Sequence, residues 1–176
     1  MSDRRLAIAC HGLHWLGSPE ADQCAHGGVT IRLGDDVLVD HAECDWNLTV
    51  AGLMLLRALD ADHTASGDGD QLVPCCGFLW VADGPADVYV VGCPSGLDWD
   101  VRHAVGTVVL RFSQRPEDVP VSWAAWRDAV VAFCDDVTRF HGATSKAPVH
   151  PDDADGVAAF HAEWQRRYAA AHAREA

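Results

Sequence analysis

The sequence predicts an α+β fold: an antiparallel, meander-type sheet, one buried helix inserted after the first hairpin, and two C-terminal helices. Three observations carry that reading. Residues 29–39 alternate apolar and polar around a Gly34-Asp35-Asp36 turn, which is the period of half-buried strands joined in a hairpin. Residues 47–59 are apolar at almost every position. That run is too long for a typical strand and reads as a helix with no solvent face. From Trp123 to Phe140 apolar residues recur at steps of three and four, the spacing of one helix face.

Taken in order, Leu6 to Cys10 form a short apolar run read as a strand, and Gly12, Gly17, Ser18 and Pro19 mark a loop after it. Val29, Ile31 and Leu33, set against Thr30 and Arg32, make the first arm of the hairpin, and Val37 to Val39 the second. Asp45 or Asn47 can cap the buried helix, because a short oxygen-bearing side chain accepts the free N–H groups of a first turn. The helix runs out in Asp60-Ala61-Asp62-His63, and residues 64–71 are a loop by composition. Phe78 to Ala82 and Val88 to Cys93 read as strands on either side of the turn-rich Asp83–Asp87. Leu97, Trp99, Val101 and His103 then alternate with Asp98, Asp100 and Arg102, and Thr107 to Phe112 follows Gly106. Connections this short favour antiparallel neighbours.

Ser122 caps the next helix and Gly142 stops it. Pro151 opens the last one, where a missing N–H costs nothing. Asp152, Asp153 and Asp155 at its start, with Arg166, Arg167 and Arg174 near its end, match the helix dipole. Val157, Phe160, Trp164 and Tyr168 form its apolar stripe. The expected organisation is a single α+β domain over residues 1–142, a linker over 143–151 and a terminal helix over 152–176 docked on that domain.

Charge narrows the partners. Asp and Glu number 26 against 13 Lys and Arg, a net charge of −13, and no basic run exceeds two residues. Phosphate backbones and anionic lipids attract positive charge. Nucleic acid and membrane surfaces are therefore not expected partners, whereas a basic protein is. No apolar stretch approaches the ~18 residues of a membrane span. Arg4-Arg5 and the run before Cys10 mimic an export signal, but the four apolar residues fall short of the ~7–15 that such a signal needs. The seven cysteines (Cys10, Cys24, Cys44, Cys75, Cys76, Cys93 and Cys134) are odd in number and irregularly spaced, unlike a complete disulfide framework. The expected setting is a reducing cytoplasm with free thiols.

No single motif fixes a reaction: Walker, dinucleotide-binding, HExxH and EF-hand patterns are all absent. Cys24-x-His26 can supply one pair of metal ligands and Cys75-Cys76 part of another, since a thiolate–imidazole zinc site takes four converging ligands, usually as two close pairs. The pattern has no CxxC, and adjacent cysteines in a strand face opposite ways. Zinc is the one cofactor the sequence suggests. Gly92-Cys93-Pro94-Ser95-Gly96 ends a strand in a tight turn, which makes Cys93 the candidate nucleophile, with Asp98, His103 or His63 as its partner. A cysteine nucleophile needs a base within reach and a depressed pKa. Asp98-x-Asp100-x-x-His103 and Asp60-x-Asp62-His63 join carboxylates to imidazoles, as solvated turns also do. Among seven tryptophans, Trp15 in the N-terminal loop is the candidate exposed anchor. The leading expectation is a protein-interaction module with an acidic surface, for example an immunity or neutralising protein for a basic partner. The alternative is a small enzyme or zinc-binding protein built on the Cys/His loops.

Overall fold

The structure, a computed structural model, describes residues 5–65, 70–77, 79–147 and 149–174. Residues 66–69 of the expected loop, the expected strand start at Phe78, linker position 148 and the last two residues of the expected terminal helix lie outside them.

The protein is α+β, and its strands pair antiparallel. β1 (Leu6–His14), β2 (His26–Leu33) and β3 (Asp36–Asn47) form one sheet in the order β1-β2-β3. Its inner face is built from the alternating positions Leu6, Ile8, Val29, Ile31 and Leu33, all buried. β1 continues through the expected loop as far as His14, and β3 well past Val39. Both extensions depend on breaks in register, between His11 and His14 in β1 and between Gly27 and Val29 in β2. Such bulges erase the period-2 signal without ending the pairing.

α1 (Leu48–Arg57) follows β3 directly. Asn47, not Asp45, caps it by accepting the Val50 N–H at 3.0 Å. Every residue from Leu48 to Leu56 is buried, as the all-round apolar sequence requires.

The chain continues as β4 (Val73–Pro74), β5 (Leu79–Ala82), β6 (Val88–Val91), β7 (Gly96–Leu97), β8 (Asp100–Ala104), β9 (Thr107–Arg111), β10 (Val119–Ser122), α2 (Trp123–Gly142) and α3 (Ala154–Ala173). These strands make three small sheets, β4 with β7, β5 with β6, and β10-β9-β8. The expected strand from Leu97 to His103 is divided at Asp98 and Trp99. There the Asp98 carboxylate accepts the backbone N–H groups of Leu72 and Trp99, so a side chain takes the place of a ladder partner. β10 was not legible because Pro120 interrupts it, and it lies at the edge of its sheet, where proline is tolerated.

Ser122 caps α2 by accepting the Ala125 N–H at 3.1 Å. Pro151 begins a 3-10 turn, Pro151–Asp153, that leads into α3. α1 packs against α2, α3, β2 and β4, and α3 also against β5 and β6. Two glycines permit the close approach of α3. A methyl group at Gly52 would lie 2.4 Å from the Trp164 ring, and one at Gly156 1.8 Å from the Trp80 carbonyl oxygen. Trp80 stacks on Phe160 with ring centroids 3.9 Å apart. Beneath these rings Glu163 is fully buried. It accepts hydrogen bonds from Arg57 (2.7 and 2.8 Å), Arg167 (2.8 Å) and the Val88 N–H (2.9 Å). Burial alone would raise this carboxyl, but these donors prevail and bring it down to about 2. Among the described residues, no helix is long and apolar enough to cross a membrane.

Candidate functional site

Cys75, Cys76 and Cys93, separated in sequence, meet where β4 pairs with β7. Pro74 lies opposite Gly96, and the Cys75 N–H continues the ladder to the Ser95 carbonyl at 2.9 Å. That register brings the Cys93 N–H onto Cys76 Sγ at 3.2 Å. Hydrogen bonding with Cys76, then with the Ser95 backbone and Cys75, lowers the Cys93 pKa, while burial raises those of Cys75 and Cys76. The partners of Cys93 are therefore thiols.

The histidines expected beside Cys93 are engaged elsewhere. His63 Nε2 pairs with Asp98 Oδ1 at 2.7 Å. Burial works against a charged His63 ring, but Asp98 outweighs it and raises the pKa above the ordinary 6.5. His103 Nε2 donates to the Ala58 carbonyl at 3.0 Å. Its backbone N–H donates to Asp62.

Cys24, His26 and Cys76 line a single cleft of about 600 Å³, together with Asn47, Leu79 and Trp80. Cys75 does not line it. Burial holds the Cys24 thiol up at about 12 and the His26 ring below its ordinary 6.5. Both are neutral at pH 7, the protonation state of packed core residues. Among the described residues, no group of three or more His, Cys, Asp or Glu side chains is placed to hold a metal ion. Cys24, His26, Cys75 and Cys76 thus share a neighbourhood but do not converge on one point.

Trp15, the expected exposed anchor, is half-buried and engaged within the chain. Its ring lies 4.6 Å from Phe140 and 4.9 Å from His141, centroid to centroid, and Lys146 Nζ sits 3.2 Å from its centroid. Lys146 also donates to the Pro19 and Asp22 carbonyls, tying the segment after α2 to the N-terminal loop. Among the described Phe, Trp and Tyr residues, the one that faces solvent is Tyr89, 63% exposed. A pairing that sequence reasoning missed joins His41 Nδ1 and Cys44 Sγ, 3.3 Å apart. Their i, i+3 spacing was its only signal.

The β5–β6 hairpin has two apolar faces. Trp80, Val88 and Val90 are buried. On the other face Leu79 pairs with Val91, and Val81 with Tyr89. Leu79 and Val81 are 41% and 45% exposed. Asp83 and Asp87 flank the hairpin turn, Asp87 paired with Arg166, and Asp152 and Asp153 lie on the 3-10 turn packed against β5. Comparison with known protein families, with characterised proteins and with solved structures finds no match.

Proposed function

We propose that the protein is an interaction module that binds a basic protein through the outward face of the β5–β6 hairpin. One observation carries the reading. Strands that are apolar on both faces are normally covered on both, yet among the described residues only the Trp80, Val88 and Val90 face is covered. The Leu79, Val81, Tyr89 and Val91 face is a small apolar patch that includes an aromatic, the composition of a binding hot spot. The net charge of −13 favours a partner that carries Lys and Arg around its own patch. A neutralising protein for a basic partner fits this description, and the reading carries with it a cytoplasmic setting, where free thiols stay reduced.

Val81→Asp and Tyr89→Asp test it. Both positions face solvent, so the fold should survive while binding to the partner, found by pull-down or growth rescue against neighbouring gene products, is lost. The on-rate should fall as salt rises, because screening shortens the field to about 8 Å near physiological ionic strength. Retained binding by both variants would reject the reading.

A second reading rests on the cleft, which gathers Cys24, His26 and Cys76 beside Leu79 and Trp80. A small-molecule site or a small enzyme would use it, since concave apolar walls with a few polar groups are the usual form of such sites. Cys24→Ser and His26→Gln would then abolish function, and the hairpin substitutions would not.

A further inference from the structure

We propose that Cys93 and Cys76 form a reversible thiol–disulfide couple in which Cys93 is the attacking thiol and Cys76 resolves it. The inference stands on the meeting of two loops and does not depend on the docking role of the hairpin.

Three features set this pair apart from the other cysteines. The first is contact. The Cys93 N–H rests on Cys76 Sγ at 3.2 Å, and the short β4–β7 pairing fixes both loops. The second is access. Cys75, Cys76 and Cys93 are half-buried, as Cys10 and Cys24 also are, and Cys44 is exposed, but burial holds Cys10 and Cys24 at about 12 and Cys134 is wholly enclosed. The third is asymmetry. Cys93, hydrogen-bonded to its neighbours, is the thiol shifted toward the thiolate, while Cys76 is shifted away from it. Attack requires a thiolate, so the order of events follows from this difference.

The co-reactant is a small-molecule disulfide, RSSR. The Cys93 thiolate attacks one of its sulfurs, forms Cys93–S–S–R and expels RS⁻, which takes up the proton that Cys93 lost. Cys76 then gives up its proton, attacks the Cys93 sulfur and expels the second RS⁻. Two protein thiols are oxidised, and one RSSR is reduced to two RSH. Cys76 precedes β5 and Cys93 follows β6, so the new bond ties the two ends of the β5–β6 hairpin together.

The test uses the intact chain. A brief pulse of iodoacetamide near neutral pH, followed by peptide mapping, should label Cys93 at least about tenfold faster than Cys10, Cys24 or Cys134, and faster than the exposed Cys44. Oxidised glutathione should then give a product lighter by two hydrogens, cross-linked between Cys76 and Cys93 and reversed by dithiothreitol. Cys76→Ser should stop at a glutathione adduct on Cys93, and Cys75→Ser should still form the cross-link. A stable adduct on the wild type, a cross-link through any other cysteine, or faster labelling of Cys44 would each overturn the proposal.

Discussion

Replacing Glu163 by Gln removes one charge from the most buried ionic contact in the protein while keeping the shape of the side chain. The wild-type carboxyl is held at about 2 against an ordinary 4.5. At about 1.4 kcal/mol for each tenfold change in proton affinity, that difference bounds its contribution at about 3 kcal/mol. The figure is an upper one, because Arg57 and Arg167 keep 30% and 19% of their side-chain surface in water. For a chain of this size each kcal/mol moves the melting midpoint by about 2–4 °C, so Glu163→Gln should melt about 5–10 °C lower at pH 7. The pH dependence is the sharper test. A carboxyl depressed in the folded state stabilises it fully above the unfolded value of 4.5 and loses that effect as pH falls toward 2. The gap between wild type and variant should therefore be complete at pH 6–7 and shrink to less than half by pH 3. Thermal unfolding of both proteins across that range, followed by circular dichroism, measures it. A gap that is absent at pH 7, or unchanged at pH 3, would refute the assignment of Glu163 as a charged, hydrogen-bonded tie between α1, α3 and β6.

Other consequences are open to measurement. Trp164→Ala should cost about 3–5 kcal/mol in denaturant unfolding, because it empties the space over Gly52; an unchanged midpoint would mean that α3 does not dock as described. Ser122→Ala should cost about 1 kcal/mol through loss of the α2 cap, read in the same experiment. His63 should titrate above 6.5 by NMR and lower in Asp98→Asn, where only Asp70 and Asp100 are left to oppose burial. With a raised folded pKa, the charged pair stabilises the fold below pH 6.5 and ceases to do so as pH rises through the folded value.

The helices and the caps Asn47 and Ser122 were legible in the sequence because helix signals are local, whereas α2 runs through the expected stop at Gly142 to a cap at Ala143. The all-apolar run before Leu59 announced a buried helix, and the steps of three and four after Trp123 announced one buried stripe. The ends of β1 and β3 were not legible, because bulges carry the pairing through positions where alternation fails. The thiol cluster was hidden for a different reason. Cys76 and Cys93 lie far apart in sequence and are brought together by two-residue strands, too short to leave a periodic trace. The outward hairpin face did leave a signal: Leu79–Ala82 and Val88–Val91 show no polar side. Read as strands alone they give the hairpin, and only the structure shows that one of the two apolar faces stays open.

The proposed function rests on that face. Placing a photo-crosslinking phenylalanine analogue at position 89, with a control at the fully exposed Val105, tests it in cells that express the protein from its own genomic context. The account predicts one cross-linked species from position 89, containing a basic protein, absent from position 105 and lost when Val81→Asp is added. No cross-link at 89, equal cross-linking from 105, or a product made of two copies of this chain would contradict it.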